Sequence, residues 1–249
     1  AIPLGELTHL VNSKDVHMPG VIVTLEHEKN RETQQWQYKG GLRDYLTQNV
    51  QADPVIPLFD GEGFADSASD SFAEGEGATW CVAFTEEGQP VRESYVNLIP
   101  TAQGGTHVNG LRSGLTDALR EFCDFRNLLP RGVKLAPEDV WQYCAFVLSL
   151  RMKEPQFTGQ TKDRLSSRDA GVFTSGAAKD AFSLWLNQHA EQGERIARLA
   201  IDSAQSRLKS ARQVERKKVA TGPTLPGKLA DCTSQDTEYT ELFLVEGDS

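Results

Sequence analysis

The chain has 249 residues, enough for one or two domains with a hydrophobic core. Hydrophobic residues make up 39% and charged residues 24%, and no apolar run approaches the roughly 20 residues of a membrane span, which excludes a collagen, a coiled-coil rod and a membrane protein. The formal net charge is −9, but residues 51–94 carry ten acids and one base, whereas residues 195–218 carry eight bases and two acids. A local basic surface can bind a polyanion even in an acidic protein.

The first hundred residues predict a strand-rich half. Residues 21–28 are rich in β-formers and pair as a hairpin with residues 36–38, and a short helix follows Gly40 and Gly41. Residues 53–78, rich in Pro, Gly, Asp, Ser and Glu, predict an exposed and mobile loop. Residues 79–85 and 93–99 predict two further strands.

The second part of the chain alternates helix, strand and helix. Leu111, Leu115, Leu119 and Phe122 repeat at helical spacing, a helix starts at Pro137, and the apolar run 144–150 suits a buried strand. This order predicts an α+β protein whose sheet carries helices on one face. From Ser175 the pattern stays helical to about residue 219, which predicts one long connecting helix of roughly 60 Å with a weak point at Gly193.

Four cysteines are scattered without metal-ligand spacing, and no signal peptide is evident. We expect free thiols in a reducing cytoplasm. The chain begins without Met and ends just after an apolar strand, so we expect both ends to be cut from something longer. The cysteines are Cys81, Cys123, Cys144 and Cys232.

Three segments and one histidine could carry chemistry. Gln160, Thr161 and Lys162 place an amide, a hydroxyl and a cation on one loop, the groups that bind a phosphate oxygen. On composition alone a solvated surface loop is the favoured interpretation, because no glycine-rich P-loop precedes the segment. Glu246 and Asp248 follow an apolar strand, where metals are often held, although a plain turn is the simpler interpretation. His107 is interpreted as a loop histidine bonded to backbone, because no nucleophile accompanies it.

The third segment is the basic tract on the long helix. Its bases lie at helical spacing, which indicates either a solvated face or sequence-independent contact with a phosphate backbone. The candidate DNA-contacting residues are Arg195, Arg198, Arg212 and Arg216.

Several strings together resemble, in order and spacing, the B subunit of bacterial type IIA topoisomerases, and the form Gly-Gly-Thr-His-Val-Asn-Gly resembles topoisomerase IV rather than gyrase. The resemblance covers nearly the whole chain and is weakest across residues 53–78. The strings lie at 95–100, 103–112, 127–134, 160–167, 225–232 and 244–249.

The resemblance implies a transducer domain of the ribosomal protein S5 domain 2-like sandwich type over residues 1–174, a long exit helix over 175–220, and a linker with the first strand of a metal-binding TOPRIM domain over 221–249. The nucleotide-binding ATPase domain would lie upstream and be absent. We then expect a fragment that is inactive alone.

In the family, Gln160 and Lys162 match a loop that reaches the γ-phosphate of ATP, with Thr161 between them, and Lys162 would support ATP turnover. Glu246 matches a magnesium ligand. Implied partners are double-stranded DNA, the A subunit of topoisomerase IV and the chain's own upstream ATPase domain, in a heterotetramer of two A and two B subunits, with no membrane.

Two other classes stay open on the residues alone. A non-catalytic scaffold of the ribosomal S5 type would bind RNA or protein without nucleotide dependence. A metal-dependent nuclease built on Glu246 and Asp248 lacks a second acidic cluster.

Overall fold

The computed structural model describes residues 3–5, 7–8, 11, 16–17, 20–27, 32–50, 57–85 and 91–219, with the backbone alone for 212–219. Residues 1–205 form one compact unit, and residues 206–249 form a second. Of the second unit, only helical residues 206–219 are described.

A two-stranded antiparallel hairpin and a short helix open the fold. Strands β1 (Val23–His27) and β2 (Glu32–Trp36) pair with Val23 opposite Trp36. Helix α1 (Leu42–Asn49) follows Gly41, whose φ of 56° is in the left-handed region that favours glycine. The predicted hairpin and short helix are confirmed.

The centre of the unit is a five-stranded mixed sheet in the order β3-β4-β7-β5-β6. β4 is antiparallel to β3 and β7, whereas β5 is parallel to β7 and antiparallel to β6. A parallel pair requires a crossover connection, and the two helices that follow β6 provide it. The strands are β3 (Phe59–Phe64), β4 (Gly77–Phe84), β5 (Arg92–Val96), β6 (Ile99–Pro100) and β7 (Cys144–Leu150).

Four further helices are found in the described part of the chain. They are α2 (Thr106–Phe125), α3 (Pro137–Trp141), α4 (Arg168–Gln188) and α5 (Ala190–Val219). The α2 stripe predicted from helical spacing is buried at every one of its four positions, and it packs on the sheet together with α4 and the first part of α5. The mixed sheet with packed helices agrees with the expected α+β class.

Helices cover both faces of the sheet, which corrects the expected one-sided arrangement. Trp80 and Val82 of β4 face the α2 and α4 side, whereas Cys81 and Ala83 face a second core cluster that includes Tyr45 and Leu46 of α1. Because successive strand residues alternate between faces, β4 and β7 must be apolar at nearly every position. That is why their sequences lack a clear alternation.

β3 corrects the prediction that residues 53–78 are all loop. Its sequence, Phe-Asp-Gly-Glu-Gly-Phe, has low strand propensity because of two glycines and two acids. The glycines are required by close packing: a Cβ on Gly61 would lie 2.7 Å from the Trp80 ring, and one on Gly63 would lie 2.6 Å from the Ala177 methyl. Tertiary contacts therefore decide that this segment forms a strand.

The single long helix predicted from Ser175 is two helices. α4 already begins at Arg168, and the helix breaks at His189, whose φ and ψ are −122° and 57°. Gly193 lies inside α5, where a Cβ would lie 2.8 Å from the Phe122 ring. This glycine allows close packing and is not the point at which the helix breaks.

Candidate functional site: an exposed loop fixed to the start of a helix

The predicted phosphate-binding residues lie at the tip of a short loop with a hydrogen-bonded stem, residues 157–165. Phe157 and Leu165 form an antiparallel bridge, and the Thr158 amide donates to the Arg164 carbonyl at 2.8 Å. Leu165 is 1% exposed and belongs to the main core. Gln160, Thr161 and Lys162, which are consecutive in the sequence, are all exposed to solvent at the tip.

Lys162 has an unusual backbone conformation. Its φ is 59°, in the left-handed region that costs a non-glycine residue roughly 1–2 kcal/mol. Its ammonium nitrogen lies 6.0 Å from the centre of the Phe157 ring, at the outer limit of a cation–π contact. Backbone strain of this kind concentrates at functional sites, where the surrounding structure maintains it.

The tip offers the donors that a phosphate group requires. A lysine carries a compact positive charge with three rotatable donors, and an amide side chain adds one directional N–H donor. Among the described residues, no group of three or more acid, His or Cys side chains is placed to hold a metal ion.

The stem is attached to the segment that leads into α2. The Gln103 amide donates to the Asp163 carbonyl at 2.9 Å, the Leu165 amide donates to the Gly104 carbonyl at 3.0 Å, and the Thr106 amide donates to the Leu165 carbonyl at 3.1 Å. Sequence analysis missed this attachment. Its only signal was the doublet Gly104-Gly105, which indicates positive φ but does not name a partner.

His107 lies in the first turn of α2 and is fully buried, which corrects its assignment to a loop with backbone contacts. Its Nε2 lies 3.2 Å from the Thr101 hydroxyl, and that hydroxyl donates to the Ser94 carbonyl of β5 at 2.9 Å. Burial lowers the pKa of His107 from 6.5 to about 4, and the side chain is neutral at physiological pH.

A shallow groove of about 520 Å³ lies beside the loop stem, between the first turns of α2 and α4. Thr106, Asn109 and Ser113 line it from α2, and Arg168, Gly171 and Ser175 line it from α4.

The predicted DNA-contacting arginines lie on α5. Arg195 and Arg198 are exposed, whereas Ile196, Ala197 and Ala200 between and after them are buried. Arg212 and Arg216 lie in the part of α5 for which only the backbone is described. The exposed pair lies one turn apart on a single face.

The predicted metal ligand Glu246, its neighbour Asp248 and Cys232 lie outside the described residues. The three described cysteines are free and buried. Burial raises the pKa of Cys81 and Cys144 to about 12 and that of Cys123 to about 11, so these thiols stay protonated. Among the helices the structure describes, none is long and apolar enough to cross a membrane.

Comparison with known proteins decides the family. The family model described as DNA gyrase B matches residues 41–216, which include the sheet, the 157–165 loop and the first part of α5. The chain belongs to the DNA gyrase B family. The family resemblance expected from its motifs is therefore confirmed.

Relatives within this family favour the topoisomerase IV form. The B subunit of DNA topoisomerase 4 from Pseudomonas aeruginosa is 57% identical over 247 residues, and that from Escherichia coli K12 is 54% identical over the same length. The B subunit of DNA gyrase from Micrococcus luteus is 33% identical over 240 residues, or 92% of this chain. The chain spans 38% of the length of the topoisomerase 4 relatives and 32% of the gyrase relative.

Solved structures of the family share the fold. The topoisomerase IV ATP-binding domain of Francisella tularensis, with a small-molecule inhibitor, has a TM-score of 0.67 at 30% identity, covering 84% of this chain and 55% of that one. The 43K ATPase domain of Thermus thermophilus gyrase B, with an aminocoumarin, has a TM-score of 0.71 at 18% identity, covering 86% and 56%.

These matches correct the expected position of the chain in its family. Sequence analysis predicted that it lies downstream of the ATPase domain. Instead, it corresponds to about half of the Francisella tularensis chain described as an ATP-binding domain, at 30% identity, so it belongs to the ATPase region.

Proposed function

We propose that this chain is the transducer part of the ATPase region of a type II DNA topoisomerase, in its B subunit, and that the 157–165 loop senses the γ-phosphate of ATP held by another part of the same subunit. The finer division stays a proposal: an S5 domain 2-like sandwich over 1–174, a connecting helical segment over 175–220 and the start of a TOPRIM domain over 221–249. The whole enzyme would pass one DNA duplex through another, with ATP, Mg²⁺ and the A subunit.

The observation that supports this function is the exposed Lys162 on a rigid stem. A group that senses a phosphate on a neighbouring domain must project from its own domain and must keep a defined position. Lys162 is exposed, its left-handed backbone is maintained by the stem, and Gln160 lies two residues away. An ammonium group near a terminal phosphate compensates charge that develops during phosphoryl transfer.

The proposed switch follows from electrostatics. A triphosphate attracts Lys162 and Gln160 through its terminal phosphate, and a diphosphate lacks that group. The loop and the helices attached to it therefore prefer different positions in the two nucleotide states, and a few kcal/mol of preference shifts the populations strongly.

The test is Lys162→Ala in the complete enzyme, with Arg164→Ala as the control that removes a nearby exposed cation from the stem. Lys162→Ala should reduce ATP turnover and strand passage by roughly 100-fold or more, the usual cost of removing one charge-stabilising group. DNA binding should remain nearly intact. Arg164→Ala should keep most of the turnover, and wild-type turnover in Lys162→Ala would contradict the proposal.

A second role is proposed for the basic face of α5. Arg195 and Arg198 are exposed one turn apart, which supports contact with the backbone of a DNA duplex, and Arg212 and Arg216 would extend that face. The metal role of Glu246 stays a prediction. Family membership favours the topoisomerase subunit over the S5-type RNA- or protein-binding scaffold and over the nuclease.

A further inference from the structure

The start of α2 makes contacts that a simple helix start does not need. The Leu165 amide donates to the Gly104 carbonyl, and the Thr106 amide donates to the Leu165 carbonyl. These two bonds join the loop stem and the helix start in a small parallel bridge. The Thr106 hydroxyl adds a bond to the Ser167 carbonyl at 2.7 Å, one residue before α4 begins. The loop stem, α2 and α4 therefore meet at one point.

Gly105 has no room for a side chain at this point. Its φ is 137°, and a Cβ there would lie 2.3 Å from the Leu165 carbonyl oxygen and 2.5 Å from the Leu165 nitrogen. These are backbone atoms, which cannot rotate away as a side chain can. Any substitution at Gly105 must push the stem away from α2.

His107 connects the same point to the sheet. Its Nε2 is hydrogen-bonded to the Thr101 hydroxyl, and the Thr101 and Ser94 hydroxyl oxygens lie 2.6 Å apart. Ser94 belongs to β5, which pairs directly with β7. The first turn of α2 is thereby fixed on one side to the loop stem and on the other side to the central sheet.

We propose that residues 104–107 are a positioning joint. The joint holds the loop tip so that Lys162 can contact the γ-phosphate, and it transmits movement of the tip to α2 and α4. This inference rests on the proposed phosphate-sensing function and adds residues that touch no nucleotide themselves. A flexible attachment would let Lys162 move without moving the helices. The short bridge, the Thr106–Ser167 hydrogen bond and the His107–Thr101 hydrogen bond prevent that.

The experiment measures how strongly the full-length subunit prefers a nonhydrolysable ATP analogue to ADP, because only the triphosphate can engage the loop. Gly105→Ala should reduce this preference at least tenfold with little change in ADP affinity. Gly132→Ala is the matched control, since Gly132 also has a positive φ of 79° but nothing lies within 4 Å of an added Cβ. It should keep the wild-type preference.

A milder pair of variants decides the matter if Gly105→Ala does not fold. Thr106→Val removes the hydroxyl that bonds to Ser167 while keeping the branched shape, and it should lower the preference several-fold. Thr106→Ser keeps the hydroxyl that Thr106→Val lacks, and it should keep the wild-type preference. Folding defects alone would lower the affinity for both nucleotides together.

The outcomes separate the joint from the proposed function. If Lys162→Ala loses the preference while Gly105→Ala and Thr106→Val keep it, the loop senses phosphate but the joint is overturned. If Lys162→Ala keeps the preference, the sensing function itself is overturned. Loss in Lys162→Ala together with Gly105→Ala or Thr106→Val, with Gly132→Ala unchanged, supports both.

Discussion

A buried histidine makes the stability of this fold depend on pH. Desolvation disfavours the charged imidazolium of His107, which has no exposed surface and one described hydrogen-bond partner, Thr101. Its pKa falls from 6.5 to about 4, so between these values the unfolded chain binds a proton that the folded protein does not. The contribution of His107 to the free energy of unfolding is therefore fully present above pH 6.5 and is lost as the pH falls towards 4.

We expect His107→Gln to flatten this dependence. The variant keeps an amide donor for Thr101 but has nothing to protonate, so between pH 7.5 and pH 4.5 the native protein should lose about 2–3 kcal/mol more stability than the variant. Urea unfolding at both pH values measures the difference. The other histidines and all carboxylates are present in both proteins and cancel. Parallel pH profiles would contradict the assignment.

At the level of elements, two helices approach closely because glycines leave room. A Cβ on Gly110 of α2 would lie 2.4 Å from the Gly171 carbonyl oxygen of α4, and one on Gly114 would lie 2.5 Å from the Ser175 carbonyl oxygen. The α2–α4 contact is reinforced at its surface by the ion pair between Lys179 and Glu121 at 2.6 Å. Backbone atoms thus form part of the interface.

Substituting one of these glycines tests the packing. Gly114→Ala should lower the free energy of unfolding by about 1–3 kcal/mol, because overpacking forces the two helices apart. Gly176→Ala on α4 is the matched control, since nothing lies within 4 Å of its added Cβ. It should raise stability by about 0.4–1 kcal/mol, because alanine is the better helix former. Equal effects in the two variants would show that the close approach is not tight.

At the scale of the whole molecule, charge is separated along the chain. The net charge of the chain is −9, yet Arg195 and Arg198 form an exposed basic pair on a helix whose other face is buried. Contacts between such residues and phosphates release counterions. The logarithm of the affinity therefore falls with the logarithm of the salt concentration, with a slope proportional to the number of contacts.

Reversing both charges should weaken duplex binding by the complete enzyme and lower the slope of log affinity against log salt by about one for each arginine. Arg131→Glu, which reverses one exposed charge in the loop before α3, is the control and should leave the slope unchanged. Titrations of a fixed duplex at several salt concentrations give the slope. An unchanged slope in the Arg195→Glu, Arg198→Glu variant would contradict phosphate contact and would show that this face of α5 is only solvated.

Much of this fold could be predicted because local signals agree with tertiary structure. Helical spacing of Leu111, Leu115 and Leu119 predicted α2, and the apolar run 144–150 predicted β7. β3 and the break at His189 were missed. The glycines of β3 have low strand propensity, and the sequence around residue 189 contains no proline.

Short residue strings spread along the sequence, such as those at 103–112 and 160–167, were enough to predict the family. The amide, hydroxyl and ammonium groups at 160–162 predict an anion site, which stays a prediction. Only the tertiary structure shows that Leu165, at the stem of this loop, pairs with Gly105, and that burial keeps the His107 imidazole uncharged. These properties depend on close approach and burial between segments about 60 residues apart. Such contacts arise from packing in three dimensions, which periodicity and composition do not record.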